Sequence, residues 1–170
     1  MIINVESKFN SSFAKIVSYV KLSNTLKFIA HPLLIFEPIE PEKYPKVWRN
    51  GEYLVKLRIF GVIPFGTQSI RIELIKVNTP DEFILRDNGQ GQVAKIWDHW
   101  IIIQSTPDAN LTRFIDRIEI KAGWMTIPVC LFAAIFYRWR QFRWKKLIRN
   151  NFGEISLPIE SKSISKKRST

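Results

Sequence analysis

A single cysteine, Cys130, occurs in the 170 residues. That excludes an intramolecular disulfide and a cysteine-based zinc cluster. Cys130 lies between Val129 and Leu131 in an apolar stretch, where a thiol behaves as a small inert hydrophobe. Histidine is scarce too: only His31 and His99 occur, with no His and carboxylate set at metal-binding spacing, so no metal and no other cofactor is expected. There is no glycine-rich phosphate loop and no serine elbow. A helix-turn-helix, an RNP-like aromatic signature and a zinc finger are all missing as well, so specific nucleic-acid recognition is not expected. Met1–Phe9 has no basic start followed by an apolar core, and the expectation is a cytoplasmic protein without a secretory signal. The greasiest run, Ala122–Tyr137, holds 16 residues including Gly123 and Pro128, short of the roughly 20 that a bilayer-spanning helix needs.

What is present is a large apolar fraction and a lopsided charge. With 46% hydrophobic residues in 170, the chain can bury one sizeable core but not two. Residues 1–137 carry 16 Lys or Arg against 13 Asp or Glu, and residues 138–170 carry 10 against 2, so +8 of the net +11 comes from the last fifth. The body is close to neutral, which argues against a nucleic-acid face on it; the basic end touches phosphates at most non-specifically. The division expected is one domain over 1–150 and a disordered basic tail over 151–170.

Alternation of period two marks the strands. In Gly51–Gly61, Tyr53, Val55, Leu57 and Ile59 share one side and Lys56 and Arg58 the other. Pro64–Gly66 reads as a turn, after which Ile70, Ile72 and Leu74 alternate with Arg71 and Glu73 until the pattern slips at Ile75, compatible with a bulge. Phe83 and Leu85 share a side in a short third strand, and Asp87–Gly91 carries a hairpin signal because Asn and Gly tolerate positive φ. The fourth strand runs over Gln92–Ser105. The fifth, Leu111–Lys121, sets Phe114, Ile118 and Ile120 against Arg113, Arg117, Glu119 and Lys121, with Asp116 on the apolar side. Connections this short make the neighbours antiparallel. Upstream, Met1–Phe9 alternates as a first strand, Ser11 or Ser12 can cap a helix through Tyr19, Ser23–Ala30 reads as a second helix ended at Pro32, and Leu33–Ile39 reads as a strand. The order is β-α-α-β-β-β-β-β-β-α, an α+β chain.

The last helix, Thr126–Arg149, is expected to start at Thr126 as N-cap with Pro128 in its first turn. Two readings compete for it. In the first it is a core helix whose basic end emerges into water, where cations favour the negative end of the helix dipole. In the second, Trp124, Trp139, Phe142 and Trp144 with Arg138, Arg140, Arg143, Lys145 and Lys146 make an interfacial helix that contacts an anionic membrane.

Three strings carry a family resemblance: Trp97–His99 in the fourth strand; Asp116 with Ile118–Gly123 leading out of the fifth; and Tyr137–Gln141 in the helix. Together they resemble the START-like, or SRPBCC, superfamily, which includes the Bet v 1-like plant proteins and polyketide cyclases, and among these its bacterial single-domain members. The resemblance spans Met1–Arg149. It implies the helix-grip fold, a curved antiparallel sheet wrapped around the long C-terminal helix, and a cavity between them for a hydrophobic small molecule or lipid.

The side chains expected to line that cavity are Tyr53, Val55, Leu57, Ile72, Leu85, Trp97, His99, Ile101, Phe114, Asp116 and Ile118 from the strands and Phe132 and Phe136 from the helix. Trp139 is a further candidate from the helix. The Pro38–Trp48 connector and the loop at Pro64–Gly66 are expected near its mouth. Asp116 interrupts an apolar stripe and so needs a partner, with Arg71, Arg86 and His99 as candidates. Asp98 and His99 are adjacent on a strand and face apart, with His99 on the side of Trp97, Ile101 and Ile103. Arg86 and Asp87 also face apart, and Asp87–Gly89 is expected to build a turn. The function expected is non-catalytic binding of an apolar ligand. Were the protein an enzyme, it would be cyclase- or dehydratase-like, with His99 and Asp116 as acid or base. The membrane-surface protein is the third alternative, and the oligomeric state is open.

Overall fold

Burial follows the alternation strand by strand. In the computed structural model, which describes residues 1–155 and 157, the strand Thr112–Lys121 buries Thr112, Phe114, Asp116, Ile118 and Ile120 and turns Arg117 and Lys121 to water. The elements are β1 (Ile2–Phe9), α1 (Phe13–Val20), α2 (Ser23–Ala30), β2 (Leu34–Glu40), β3 (Gly51–Ile59), β4 (Ile63–Ile75), β5 (Glu82–Gly91), β6 (Ile96–Ser105), β7 (Thr112–Lys121) and α3 (Thr126–Arg149). They form one seven-stranded sheet of order β1-β7-β6-β5-β4-β3-β2, and every neighbouring pair is antiparallel. This is the α+β helix-grip architecture: α3 lies against the sheet's inner side and packs on α2, β1 and β7.

Several local expectations shift, each for a physical reason. The β3–β4 turn falls at Phe60–Val62, not at Pro64–Gly66. Phe60 (φ 52°) and Gly61 (φ 74°) both take the left-handed region, and the amide of Val62 closes the turn on the carbonyl of Ile59 at 3.2 Å. Glycine at 61 supplies that geometry without a Cβ penalty. Pro64–Gly66 instead belongs to β4, whose pairing with β5 runs unshifted to Ile75↔Ile84, so no bulge sits at Ile75. The register shifts lie between Pro38 and Glu40 and between Lys56 and Arg58, and such bulges bend a sheet.

The Asp87–Gly91 hairpin is also overturned: β5 continues through it, and the chain reverses over residues 92–95. Gly89 is required there by crowding, since a Cβ on it would stand 2.6 Å from the carbonyl oxygen of Ser69. Thr126 is not the N-cap of α3. It is the first helical residue, and its hydroxyl accepts from the amide of Ala122 at 2.9 Å and donates to the carbonyl of Gly123 at 2.7 Å. Ser12 holds the N-cap position of α1 with extended backbone but makes no capping hydrogen bond.

The inward stripe of α3 is Ala133, Phe136, Tyr137, Arg140, Gln141, Trp144 and Leu147, at the i, i+3, i+4 and i+7 spacing of one helix face. Trp144, fully buried, meets Phe9 and Phe114 at centroid distances of 6.0 and 5.6 Å. Packing does not stop at 150 as expected: Phe152 is buried, stacks on Tyr19 at 4.1 Å, and Ile155 is buried as well. Residues 156 and 158–170 of the expected basic tail lie outside the described residues.

Candidate functional site

Between the sheet and α3 lies a cavity of about 60 Å³, walled mostly by apolar side chains that include Leu34, Phe36, Leu57, Ile72, Leu85, Trp97, Ile101 and Phe136. At roughly 10–15 Å³ per water it holds a few waters or carbon atoms, well below the roughly 300–1,000 Å³ of pockets for drug-sized ligands. Its polar residues are Thr25, Gln68, Asp87, His99, Tyr137 and Arg140.

The polar end is assembled by register. Asp87 on β5 stands directly across from His99 on β6, and Asp116 on β7 is diagonal to His99, because Ile118 is the residue facing it. Cross-strand neighbours of this kind lie within side-chain reach on one face. The imidazole Nε2 of His99 and Oδ1 of Asp116 are 2.8 Å apart, and the Gln141 amide donates to Oδ2 of Asp116 at 3.1 Å and to the carbonyl of Val5 at 2.7 Å. Of the candidate partners of Asp116, His99 is therefore the one that pairs with it. Arg71 and Arg86 face the other way: Arg86 forks onto Asp98 at 2.8 and 3.1 Å. The indole of Trp97 donates to the Tyr137 hydroxyl at 3.0 Å, and the Arg140 guanidinium sits over the Tyr137 ring, 5.1 Å from its centroid.

Burial acts on every charge here. It would raise the Asp116 carboxyl, but the positive Arg140 and the hydrogen bonds from His99 and Gln141 outweigh it and hold the group below the usual carboxylate range. Burial pushes His99 down despite its bond to Asp116, so the ring is neutral. With Asp116 ionised, Nε2 carries the hydrogen and donates it. Asp87 is the opposite case. Burial outweighs the Arg71 amide that donates to it at 2.9 Å and the charge of Arg140, and pushes its carboxyl up to about 8.

Of the side chains expected at the cavity, Leu57, Ile72, Leu85, Trp97, His99, Ile101 and Phe136 line it. The others sit around it. Val55 and Ile118 are fully buried in the core. Tyr53 packs edge-on against Trp48 at 5.1 Å, Phe114 joins Phe9 and Trp144, and Asp116 stands behind His99. Phe132 lies 5.7 Å from Phe65, which does line the cavity together with Trp48, so the connector and the start of β4 do border it. Trp139 points elsewhere, donating to the carbonyl of His31 at 3.2 Å.

Asp87, Tyr137, Arg140 and Gln141 complete the site, and sequence reasoning gave none of them this role. Asp87 was assigned to a turn and Arg140 to a membrane-facing set. The signal was available: Leu85, Asp87 and Gly89 alternate with period two, and Arg140 shares the helical stripe of Phe136, Tyr137 and Trp144. The expected cationic set accordingly divides. Arg140 is only 4% exposed, and Arg143 turns onto Phe28, 4.1 Å from the ring centroid and 3.0 Å from the carbonyl. Arg138, Lys145 and Lys146 remain exposed. Among the described residues no helix is long and apolar enough to cross a membrane, and no group of three His, Cys, Asp or Glu side chains could hold a metal ion.

No protein-family model and no curated protein matches the sequence. Solved structures do match in shape. The chain is similar to a protein from Chromobacterium violaceum at a TM-score of 0.60 and 9% identity, covering 86% of this chain and 96% of that one. It is similar to a START superfamily protein from Mycobacterium smegmatis at 0.56 and 13%, covering 88% and 98%. It is also similar to the AHSA1 protein from Silicibacter pomeroyi at 0.58 and 10%, covering 89% and 99%. At such identities the likeness is one of architecture, and the chain has the START-like helix-grip fold.

Proposed function

We propose that the protein binds a small apolar molecule in the space between the sheet and α3. The observation that carries this is an apolar-walled cavity in whose lining Asp87, His99, Tyr137 and Arg140 neighbour one another, the arrangement that lets desolvation drive binding while a few polar groups fix orientation. A volume of about 60 Å³ favours a compact guest over a full-length lipid or a sterol. The His99–Asp116 pair is read as a buried structural contact, because both carboxylate oxygens already accept hydrogen bonds. Native mass spectrometry of freshly purified protein, followed by thermal-shift titration with small apolar compounds, tests the reading. The expected result is a co-purifying or titratable guest whose binding is lost in Leu85→Trp, which fills the cavity. Absence of any guest, together with no shift across the compounds, would reject it.

A second reading has its own observation. Trp124 is 90% exposed, Ile127, Leu131 and Ile135 are each 64% exposed, and Phe142 is 53% exposed. The last four share one face of α3 with the exposed Arg138, Lys145 and Arg149, an apolar stripe that runs into cations, as in helices that lie on anionic bilayers. Sedimentation with anionic and neutral vesicles at low and high salt separates this from the first reading. Binding that needs anionic lipid, weakens with salt and is lost in the triple variant Ile127→Gln, Leu131→Gln, Ile135→Gln supports it; equal recovery with both vesicle types rejects it.

A further inference from the structure

We propose that the guest of this cavity carries a carboxylate that docks on Arg140, with its apolar body against Leu57, Leu85 and Trp97; this rests on the apolar-ligand reading above. The reasoning starts from an accounting of donors. A guanidinium presents five N–H groups in a planar fork and keeps its charge in any protein interior. Arg140 is 4% exposed, on the inward stripe of α3, and it lines the cavity. Its Nε has no hydrogen-bond acceptor among the described residues. The carboxylate that balances its charge, Asp116, is 3.8 Å away at the closest approach, too far for a hydrogen bond. Nor is Asp116 free to move onto it, since Oδ1 is taken by His99 and Oδ2 by Gln141. Arg140 is thus balanced in charge but unsatisfied in hydrogen bonding, a costly state for a buried charged donor.

The groups beside it select the chemistry of what would satisfy it. The Tyr137 hydroxyl already accepts from Trp97, which leaves its own O–H to donate. Asp87, half-buried on the β5 side of the cavity, has its carboxyl pushed up to about 8 by desolvation, which makes it a donor rather than a competitor for the guanidinium's charge. The polar end is therefore rich in donors. A carboxylate matches it: planar, with about four lone-pair sites, it meets the guanidinium fork through paired, charge-assisted bonds. An alcohol brings no charge, and an ammonium brings the wrong one and no acceptor. The cavity's size limits the body of the acid to a few carbons.

The test uses the full chain and matched probes on one skeleton: propionate, 1-propanol and propylamine, then butyrate, 1-butanol and butylamine, titrated at pH 7 by calorimetry and ligand-observed NMR. In the wild type the acid is expected to bind at least about tenfold tighter than its alcohol, and the amine weakest. In Arg140→Met the acid falls to the affinity of the alcohol while the alcohol's is kept, and Arg140→Lys recovers part of the preference. Should Arg140→Met fail to fold, the wild-type ratio of acid to alcohol decides alone. Equal binding of acid and alcohol, or tighter binding of the amine, overturns the carboxylate and leaves the apolar reading standing. No binding of any probe, with no guest found by native mass spectrometry, removes the apolar reading and this inference together.

Discussion

Two carboxylates flank His99 on the inner face of the sheet, and they are in opposite states. Asp116 on β7 accepts from His99 and Gln141 and feels the charge of Arg140, so it stays ionised although it is fully buried. Asp87 on β5 has one backbone amide as donor and is pushed up to about 8. Both face the same helix and share the same arginine. What separates them is the count of hydrogen-bond donors aimed at each oxygen, which decides whether burial neutralises an acid or is overcome. One end of the cluster is therefore a carboxylate with both oxygens hydrogen-bonded, while the other is an acid pushed towards its neutral form beside an arginine whose Nε has no acceptor among the described residues.

The largest expected effect is on Asp116. Replacing it with Ala leaves His99 and Gln141 without their acceptor and Arg140 without its counter-charge, and breaking a buried pair in this way costs about 3–5 kcal/mol. Asp87→Asn should cost less than about 1 kcal/mol at pH 6, because a protonated acid and an amide have nearly the same shape and the Asn oxygen can still accept from the Arg71 amide. Urea denaturation of both variants checks the contrast. Comparable losses would show that the two carboxylates are not in different charge states.

The pH dependence comes next in size. A carboxyl near 8 in the folded chain and 3.8 unfolded binds its proton more tightly when folded, so its contribution is complete below 3.8 and is lost as pH rises towards 8. His99 works in the opposite direction below its ordinary 6.5, since the unfolded chain takes up a proton that the folded chain resists. The clean window for Asp87 is therefore pH 6.5 to 8, where stability should fall with rising pH by at most about 2 kcal/mol, at up to ~1.4 kcal/mol per pH unit. Asp87→Asn should flatten that slope. A wild type whose stability is level across the window would contradict the raised Asp87. On the acid side, Asp116 loses its contribution as pH falls through its depressed folded value, below 3.8.

How much of this was legible follows from the range of the interactions concerned. Strand order, the two short helices and the long last helix were readable because period-two and period-3.6 patterns are local, and α2 falls at Ser23–Ala30 as read. The pairing of Asp116 with His99 was readable as one of three options because an acid in an apolar stripe demands a partner. Two things misled. Asp87, Asn88 and Gly89 have the composition of a turn, yet Gly89 is there because the backbone of Ser69 passes within 2.6 Å of where its Cβ would be. Arg140 sits in a run of cations that reads as solvated, and only the helical phase of Phe136, Tyr137 and Trp144 reveals that it points inward. The volume left between sheet and helix was not readable at all, because it depends on how side chains from eight elements interlock.

Asp98 offers the finest test of the comparison, since it neighbours His99 in sequence but lies on the sheet's outer face. It has more donors than Asp116, three against two: Arg86 forks onto both of its oxygens and Trp100 donates at 3.1 Å. Its side chain is 15% exposed and that of Arg86 is 26% exposed, so water screens the pair. If donors alone set the cost of losing a carboxylate, Asp98→Asn would be at least as damaging as Asp116→Asn. If donors matter most where solvent cannot replace them, Asp98→Asn should cost only about 1 kcal/mol or less. Added salt should shrink that loss further and leave the Asp116 loss nearly unchanged. Chemical denaturation at two salt concentrations distinguishes these outcomes, and equal losses would mean that solvent access, rather than donor count, has been given too much weight in separating the two faces.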